Sequence, residues 1–232
     1  MDGQMLLGFV PARGGSIRVP RKNVRPLAGE SLIARTIRAA LAARYLDGIA
    51  FSSDCEACIA EAQAAGLFTD YRRPYSLATS EATTAECVID YLQWSAKIGG
   101  PAYTHVVLLQ PTSPFRATDD IDNAIAHWRT SGRPSLVSAT PVAPMKTFLI
   151  YRGADGTLIR ESVDSGRDPF VLDGSVYITP TTMLLDRGVF WDCNSDLFVN
   201  HYPRPYDIDE ETDFRAAEAL VAANLLRQED QA

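Results

Sequence analysis

Four cysteines and three histidines in 232 residues leave little for zinc, thiol or triad chemistry. Cys55 and Cys58 stand at C-x2-C spacing, but Cys87 and Cys193 are far off and no histidine lies near Cys58, so a zinc site is short of ligands. Helical spacing instead turns Cys58 toward a core, with reduced thiols. His105 opens an apolar strand and His127 falls within a helix, both structural positions. No apolar run reaches the roughly 20 residues of a membrane span. The start MDGQMLLGFVPARGG carries an acid where a signal peptide has its basic region, and its apolar stretch breaks at Pro11. A soluble, cytoplasmic protein is expected, with no membrane partner. Positive charge is also in deficit, 22 Lys and Arg against 29 Asp and Glu, which disfavours a nucleic-acid partner. Repeats and low-complexity tracts are missing, so residues 1–232 are expected to form one domain.

What is present is a regular alternation. Residues 5–11 form a buried first strand, followed by a loop to Gly29. Ser31 caps a helix through Arg44 on Leu32, Ile33, Ile37, Ala40 and Leu41. Strand 49–53, helix 55–65, a weaker strand at 67–71 and helix 80–97 follow. His105–Gln110 is the clearest buried strand, then come helix 118–128 and strand 135–142. This rhythm predicts an α/β fold, a Rossmann-like, mostly parallel sheet with helices on both faces. Beyond residue 142 short strands at 148–151, 157–160, 175–179 and 196–199 suggest a β-rich arm or lid over about 143–200, before a last helix at 211–227.

Charge is gathered at two places. Arg13, Arg18, Arg21, Lys22 and Arg25 occupy a stretch with no acid between Asp2 and Glu30. With Gly14 and Gly15 after a buried strand, they read as a polyphosphate cradle rather than a solvated loop. The pattern is neither a Walker A nor the G-x-G-x-x-G of a dehydrogenase. In DIDEETD, Asp207 and Asp209 face one way on an extended segment and can converge on a hard cation, whereas Glu210, Glu211 and Asp213 suit a helix N-terminus. Between these, Gln110-Pro-Thr-Ser-Pro-Phe-Arg116 makes a stiff loop at a strand end, open to a ligand role or a plain turn.

Taken in order, PARGGS with VPRKN (residues 11–23), SSD (52–54), RP (73–74), QPTSPFR (110–116), GSVYIT (174–179) and DIDEETDF (207–214) resemble the CMP-sialic acid synthetases, cytidylyltransferases related to the CMP-Kdo synthetases. The resemblance spans nearly the whole chain. It implies a nucleotidyltransferase of the nucleotide-diphospho-sugar type and a homodimer whose β-rich arm reaches the partner's site. It further implies CTP and an anionic small-molecule acceptor as substrates, Mg²⁺ as cofactor, and pyrophosphate as product. By position, Arg13, Gly14, Gly15, Ser16, Arg18, Lys22 and Asn23 belong to the triphosphate. Arg73 and Thr84 belong to the base and ribose, and Gln110, Ser113, Lys146 and Tyr177 to the acceptor. Asp207 and Asp209 take the metal. Lys22 and Arg13 carry the charge stabilisation, and Asp209 is a candidate to help deprotonate the acceptor, although a carboxylate beside a metal is a poor base.

The chain departs from the family pattern in the basic loop and on the acceptor side. Ile17 and Arg18 replace the usual Lys-Gly, Ala143-Pro144-Met145 replace a histidine-rich stretch, and Val171 and Asp173 stand where Arg and Asn are usual. Asp173 would repel an anionic acceptor. A nonulosonic sugar acid is the leading acceptor. A small phosphonate such as phosphonoformate is the alternative, and a nucleotide-binding protein without turnover is the alternative of another class.

Overall fold

A computed structural model describes residues 3–16, 18–141, 148–152, 157–162, 169–200 and 207–223, with backbone only at 148–152 and 158–162. The run LLGFVP is β1 (Leu6–Pro11), with Leu6 and Val10 turned to one apolar cluster and Leu7 and Phe9 to another. That period of two is what a central strand covered on both faces requires. A small ribbon, β2 (Pro26–Leu27) and β3 (Glu30–Ser31), leads into α1 (Leu32–Ala42). The Ser31 hydroxyl caps α1 by accepting the Ala34 N–H at 3.1 Å. Leu41 does not join the apolar face but is 46% exposed, and the helix stops at Ala42.

Then come β4 (Gly48–Ser52), α2 (Glu56–Ala64), α3 (Thr84–Lys97), β5 (His105–Leu108), α4 (Thr118–Ser131) and β6 (Leu136–Pro141). A capping box between Thr83 and Glu86 starts α3 at Thr84, later than the sequence suggests. The expected strand at 67–71 does not form. Tyr71 is instead buried against Tyr91 and Trp94, its hydroxyl donating to Asp90 at 2.6 Å, so this segment is held by a side chain and not by a ladder.

The remaining elements are β7 (Phe148–Arg152), β8 (Leu158–Ser162), β9 (Phe170–Pro180), α5 (Thr181–Arg187), β10 (Asp196–Val199) and α6 (Glu211–Ala222). The central sheet has the order β10-β6-β9-β5-β1-β4. Strand β1 runs parallel to β4 and β5, and β10 parallel to β6, while β9 is antiparallel to both its neighbours. Much of the segment 143–200 thus belongs to the sheet, because β9 and β10 pair their backbone there. Among the described residues of this segment, the antiparallel pair β7–β8 forms a separate ribbon. Helix α5 has no counterpart in the sequence reading. The last helix is described to Ala222, and residues 224–227 of the expected helix lie outside the described residues.

Helices α1, α2 and α4 pack on one face and α3 and α5 on the other. A third cluster, in which Phe214 and Ala217 of α6 meet Val19, Leu27, Leu32 and Ile208, ties the end of the chain to the basic loop. Among the described residues no helix is long and apolar enough to cross a membrane.

Candidate active site

The carboxyl ends of β1 and β5 open into one cleft of ≈ 330 Å³, the place where parallel sheets bind ligands. Arg13, Ser16, Arg18, Lys22, Asn23, Arg73, Thr84, Gln110, Asp207 and Asp209 all line it. Residues from opposite ends of the chain therefore converge on one wall-to-wall set of polar groups.

The basic loop is built on buried anchors. Val19 is 1% exposed, and the buried Asn23 donates through Nδ2 to the Arg13 carbonyl at 3.1 Å, which fixes the loop's return. Of the five cations, Arg13, Arg18 and Lys22 reach the cleft. Arg25 is taken by α6, where it pairs with Glu211 at 2.7 Å and stacks 3.9 Å over Phe214. The Lys22 ammonium donates to the Ile208 carbonyl and lies 3.4 Å from Asp209, which Arg18 also pairs at 3.1 Å. Arg13 reaches across the cleft to donate to the Thr79 carbonyl at 2.6 Å.

The acidic cluster divides in two. Ile208 is fully buried and donates its N–H to the Thr112 carbonyl at 3.0 Å, which leaves Asp207 and Asp209 facing the cleft. The Asp213 carboxylate accepts the N–H groups of Asp209 and Glu210 at 3.0 and 2.7 Å at the start of α6. Desolvation by the cleft wall raises the Asp207 carboxyl above the ordinary Asp range. The Thr112 hydroxyl and Lys22 oppose that shift, and Asp209 and Asp213 add to it.

The SSD motif acts as a scaffold. Ser52 accepts from the buried Arg73 through its hydroxyl at 3.0 Å and its carbonyl at 2.7 Å, and the Ser53 carbonyl accepts the Arg73 N–H at 3.0 Å. Asp54 accepts the Gly14 N–H at 3.0 Å. The Gly14 amide is therefore committed to protein and not offered to an anion. A Cβ on Gly14 would lie 2.6 Å from Cys55 Cβ, so the glycine serves close approach, while Gly15 is exposed. Cys58 is buried, and desolvation pushes its thiol up to about 12, so the C-x2-C pair does not offer an activated Cys58. Burial likewise pushes His105 down to about 4, which keeps it neutral beside Trp128.

On the acceptor side the structure departs further from the sequence reading. Gln110 lines the cleft, but Ser113 is 3% exposed and turns away, its hydroxyl donating to the Asp173 carbonyl at 2.6 Å. Tyr177 is buried in β9 opposite Leu108 and Val137 and is not among the residues that line the cleft. Asp173 does not stand as a repelling charge in the open. It is 1% exposed and surrounded by donors. Lys146 and Ile17 lie outside the described residues. Thr79, Ser80, Cys87 and Thr112 line the cleft in addition to the residues that the sequence marks, and only Thr112 sits inside a motif that points to it.

A family model described as cytidylyltransferase matches residues 7–152. The chain belongs to the cytidylyltransferase family. Over 94% of its length, this cytidylyltransferase is 31% identical to the CMP-N,N'-diacetyllegionaminic acid synthase of Legionella pneumophila, of which the match covers 97%. It is 27% identical to a pseudaminic acid cytidylyltransferase of Campylobacter jejuni, over 94% of this chain and 97% of that one. It is 26% identical to an N-acylneuraminate cytidylyltransferase of Escherichia coli, over 91% of this chain but 51% of that longer one. Among solved structures, a CMP:2-keto-3-deoxy-manno-octonic acid synthetase complexed with CTP superposes with a TM-score of 0.69 at 13% identity, covering 96% of this cytidylyltransferase and 100% of that chain. A 4-diphosphocytidyl-2C-methyl-D-erythritol synthase from Anaerococcus prevotii gives 0.65 at 13% identity, over 95% and 97%. At such identity these two establish the fold alone.

Proposed function

We propose that this cytidylyltransferase transfers CMP from CTP to a nonulosonic, sialic-acid-type sugar acid and releases pyrophosphate. One observation carries the reading: a single cleft in which Arg13, Arg18 and Lys22 face Asp207 and Asp209. The names of full-length relatives point to the acceptor class. An acceptor oxygen attacks the α-phosphorus in line, so that a new P–O bond forms as the bond to pyrophosphate breaks. Negative charge builds on the phosphoryl oxygens and the leaving group, and Lys22 and Arg13 present positive charge to it. Ser16, Arg18 and Gly15 belong to the same phosphate end, and Asn23 acts by fixing Arg13. Arg73 and Thr84, with Thr79 and Ser80, form the end assigned to cytosine and ribose, and Gln110 looks to the acceptor.

Mg²⁺ fits the donor set, because two carboxylates spaced by a buried Ile208 share one face and Asp207 is held where a cation would relieve it. Asp207 and Asp209 would hold the ion, which when bound screens triphosphate charge. The Arg18 and Asp209 side chains are 63% and 46% exposed, so their pairing is weak enough to exchange partners. Asp207→Asn and Asp209→Asn should each move the Mg²⁺ activation curve to higher metal. Glu211→Gln should leave the curve in place, since Glu211 is paired with Arg25 and Arg215. The reverse ranking in a metal titration would misplace the ion.

We also infer a cytoplasmic homodimer whose contact, within 143–200, takes in the exposed start of β9. Phe170, Val171 and Leu172 are 40%, 44% and 40% exposed in succession, an apolar stretch suited to an interface. Sedimentation that returns a monomer would remove this part.

Pyrophosphate release with CTP and a panel of legionaminate-, pseudaminate- and neuraminate-type acids, Kdo and phosphonoformate tests the function. Turnover with a nonulosonic acid is expected. Turnover of phosphonoformate alone would transfer the assignment to the small phosphonate. CTP binding without turnover of any of them would overturn the nonulosonate reading.

A further inference from the structure

The most densely bonded buried carboxylate in the described structure belongs to a residue that the proposed reaction does not use. Asp173 is 1% exposed on β9. Its Oδ1 accepts the Ser138 hydroxyl at 2.5 Å and the Ser175 N–H at 3.0 Å, and its Oδ2 accepts the Thr140 hydroxyl at 3.0 Å and Asn200 Nδ2 at 2.7 Å. Ser138 in turn accepts the Val176 N–H at 2.9 Å, so its own proton is left to point at Asp173. Four neutral donors, from β6, β9 and the residue after β10, thus hold one carboxylate without direct access to the cleft.

The backbone on either side of that carboxylate is what the acceptor loop rests on. The Asp173 carbonyl accepts the Ser113 hydroxyl at 2.6 Å, and the Gly174 carbonyl accepts the Gln110 N–H at 3.4 Å. The buried Arg116 donates to the Gln110 carbonyl at 3.0 Å and to the Ser175 carbonyl at 2.9 Å, stitching loop to strand. Gly174 has φ +65°, and a Cβ there would come within 2.2 Å of Gln110 Oε1. The Gln110 amide therefore lies directly against the Gly174 Cα, in space that only a glycine leaves open.

We propose that Asp173 is a positioning residue, which acts through Gly174 to aim the Gln110 side chain into the cleft. The functional consequence rests on the reading of Gln110 as acceptor-facing given above. The position of Gln110 itself does not, so the two can fail separately. Replacing Asp173 by asparagine keeps its size but sets an amide N–H₂ against donors. Replacing Gly174 by alanine puts a methyl group where Gln110 lies.

The experiment uses the full chain. In ¹H–¹⁵N spectra, the side-chain amide pair lost in Gln110→Ala identifies Gln110. That pair should shift or broaden in Asp173→Asn and in Gly174→Ala. With CTP and N,N'-diacetyllegionaminic acid as substrates, KM for the acid should rise about tenfold in both variants, while KM for CTP stays within a factor of about two, since misaiming one group acts locally. Adding Asp173→Asn to Gln110→Ala should raise the acceptor KM no further. A Gln110 amide pair unmoved in both variants overturns the positioning role. A pair that moves with no change in acceptor KM supports the positioning and overturns only the assignment of Gln110 to the acceptor. If Asp173→Asn raises the acceptor KM equally with and without Gln110→Ala, the route through Gln110 is overturned.

Discussion

Lys22→Ala lowers kcat by about 10²–10³-fold, the usual loss when one preorganised stabiliser of developing charge is removed. The expectation comes from placement. Lys22 is only 13% exposed at its side chain, its ammonium is held against the Ile208 carbonyl and Asp209, and it lies in the cleft beside Arg13 and Arg18. A cation fixed by protein contacts needs little rearrangement when charge builds on a phosphoryl group. KM for CTP should change by less than about tenfold, because Arg13 and Arg18 remain to bind the ground state. Steady-state kinetics with varied CTP separate the two parameters. A variant with near-normal kcat would mean that the basic loop holds CTP without acting on the reacting phosphate.

Asp173→Ala should be the most destabilising single change outside the apolar core, by about 3–5 kcal/mol, since several buried neutral donors lose their acceptor together at about 1–3 kcal/mol each. Alanine would leave the Ser138 and Thr140 hydroxyls, the Asn200 amide and the Ser175 N–H facing an empty volume. For a chain of this size that corresponds to a fall in Tm of roughly 10 °C. Glu211→Gln, which removes an exposed ion pair with Arg25, should cost less than about 1 kcal/mol by the same melting experiment. A similar small loss for Asp173→Ala would mean that the freed donors find other partners.

The two residues differ in how visible they are along the chain. Lys22 sits in a run of cations after a buried strand, and several residues that flank it in sequence also flank it in space. Asp173 is one acid before a glycine. Its donors include residues 138, 140 and 200, and no local pattern links them. Ser113 and Gly14 depart from the sequence reading for a related reason. Hydroxyls and glycines near a ligand site serve a ligand or the scaffold equally well, and here the Asp173 carbonyl and the Cys55 side chain decide for the scaffold.

Local pattern is sufficient for β1, α1, β4 and β5, for the division of DIDEETD into cleft and helix-cap carboxylates, and for the cytidylyltransferase motifs in their order. Each of these depends on periodicity or capping within a few residues, or on an extended segment's alternation, which a linear reading contains. That β9 enters the middle of the sheet, antiparallel between β5 and β6, instead of joining an arm, emerges from the folded chain alone. Ser175 and Thr179 look like surface positions by residue type. They are fully buried, and the Thr179 hydroxyl is satisfied by the Phe190 carbonyl at 2.7 Å. A strand's partners are set by burial and hydrogen bonding between segments distant in sequence, and those energies have no signature in the strand alone.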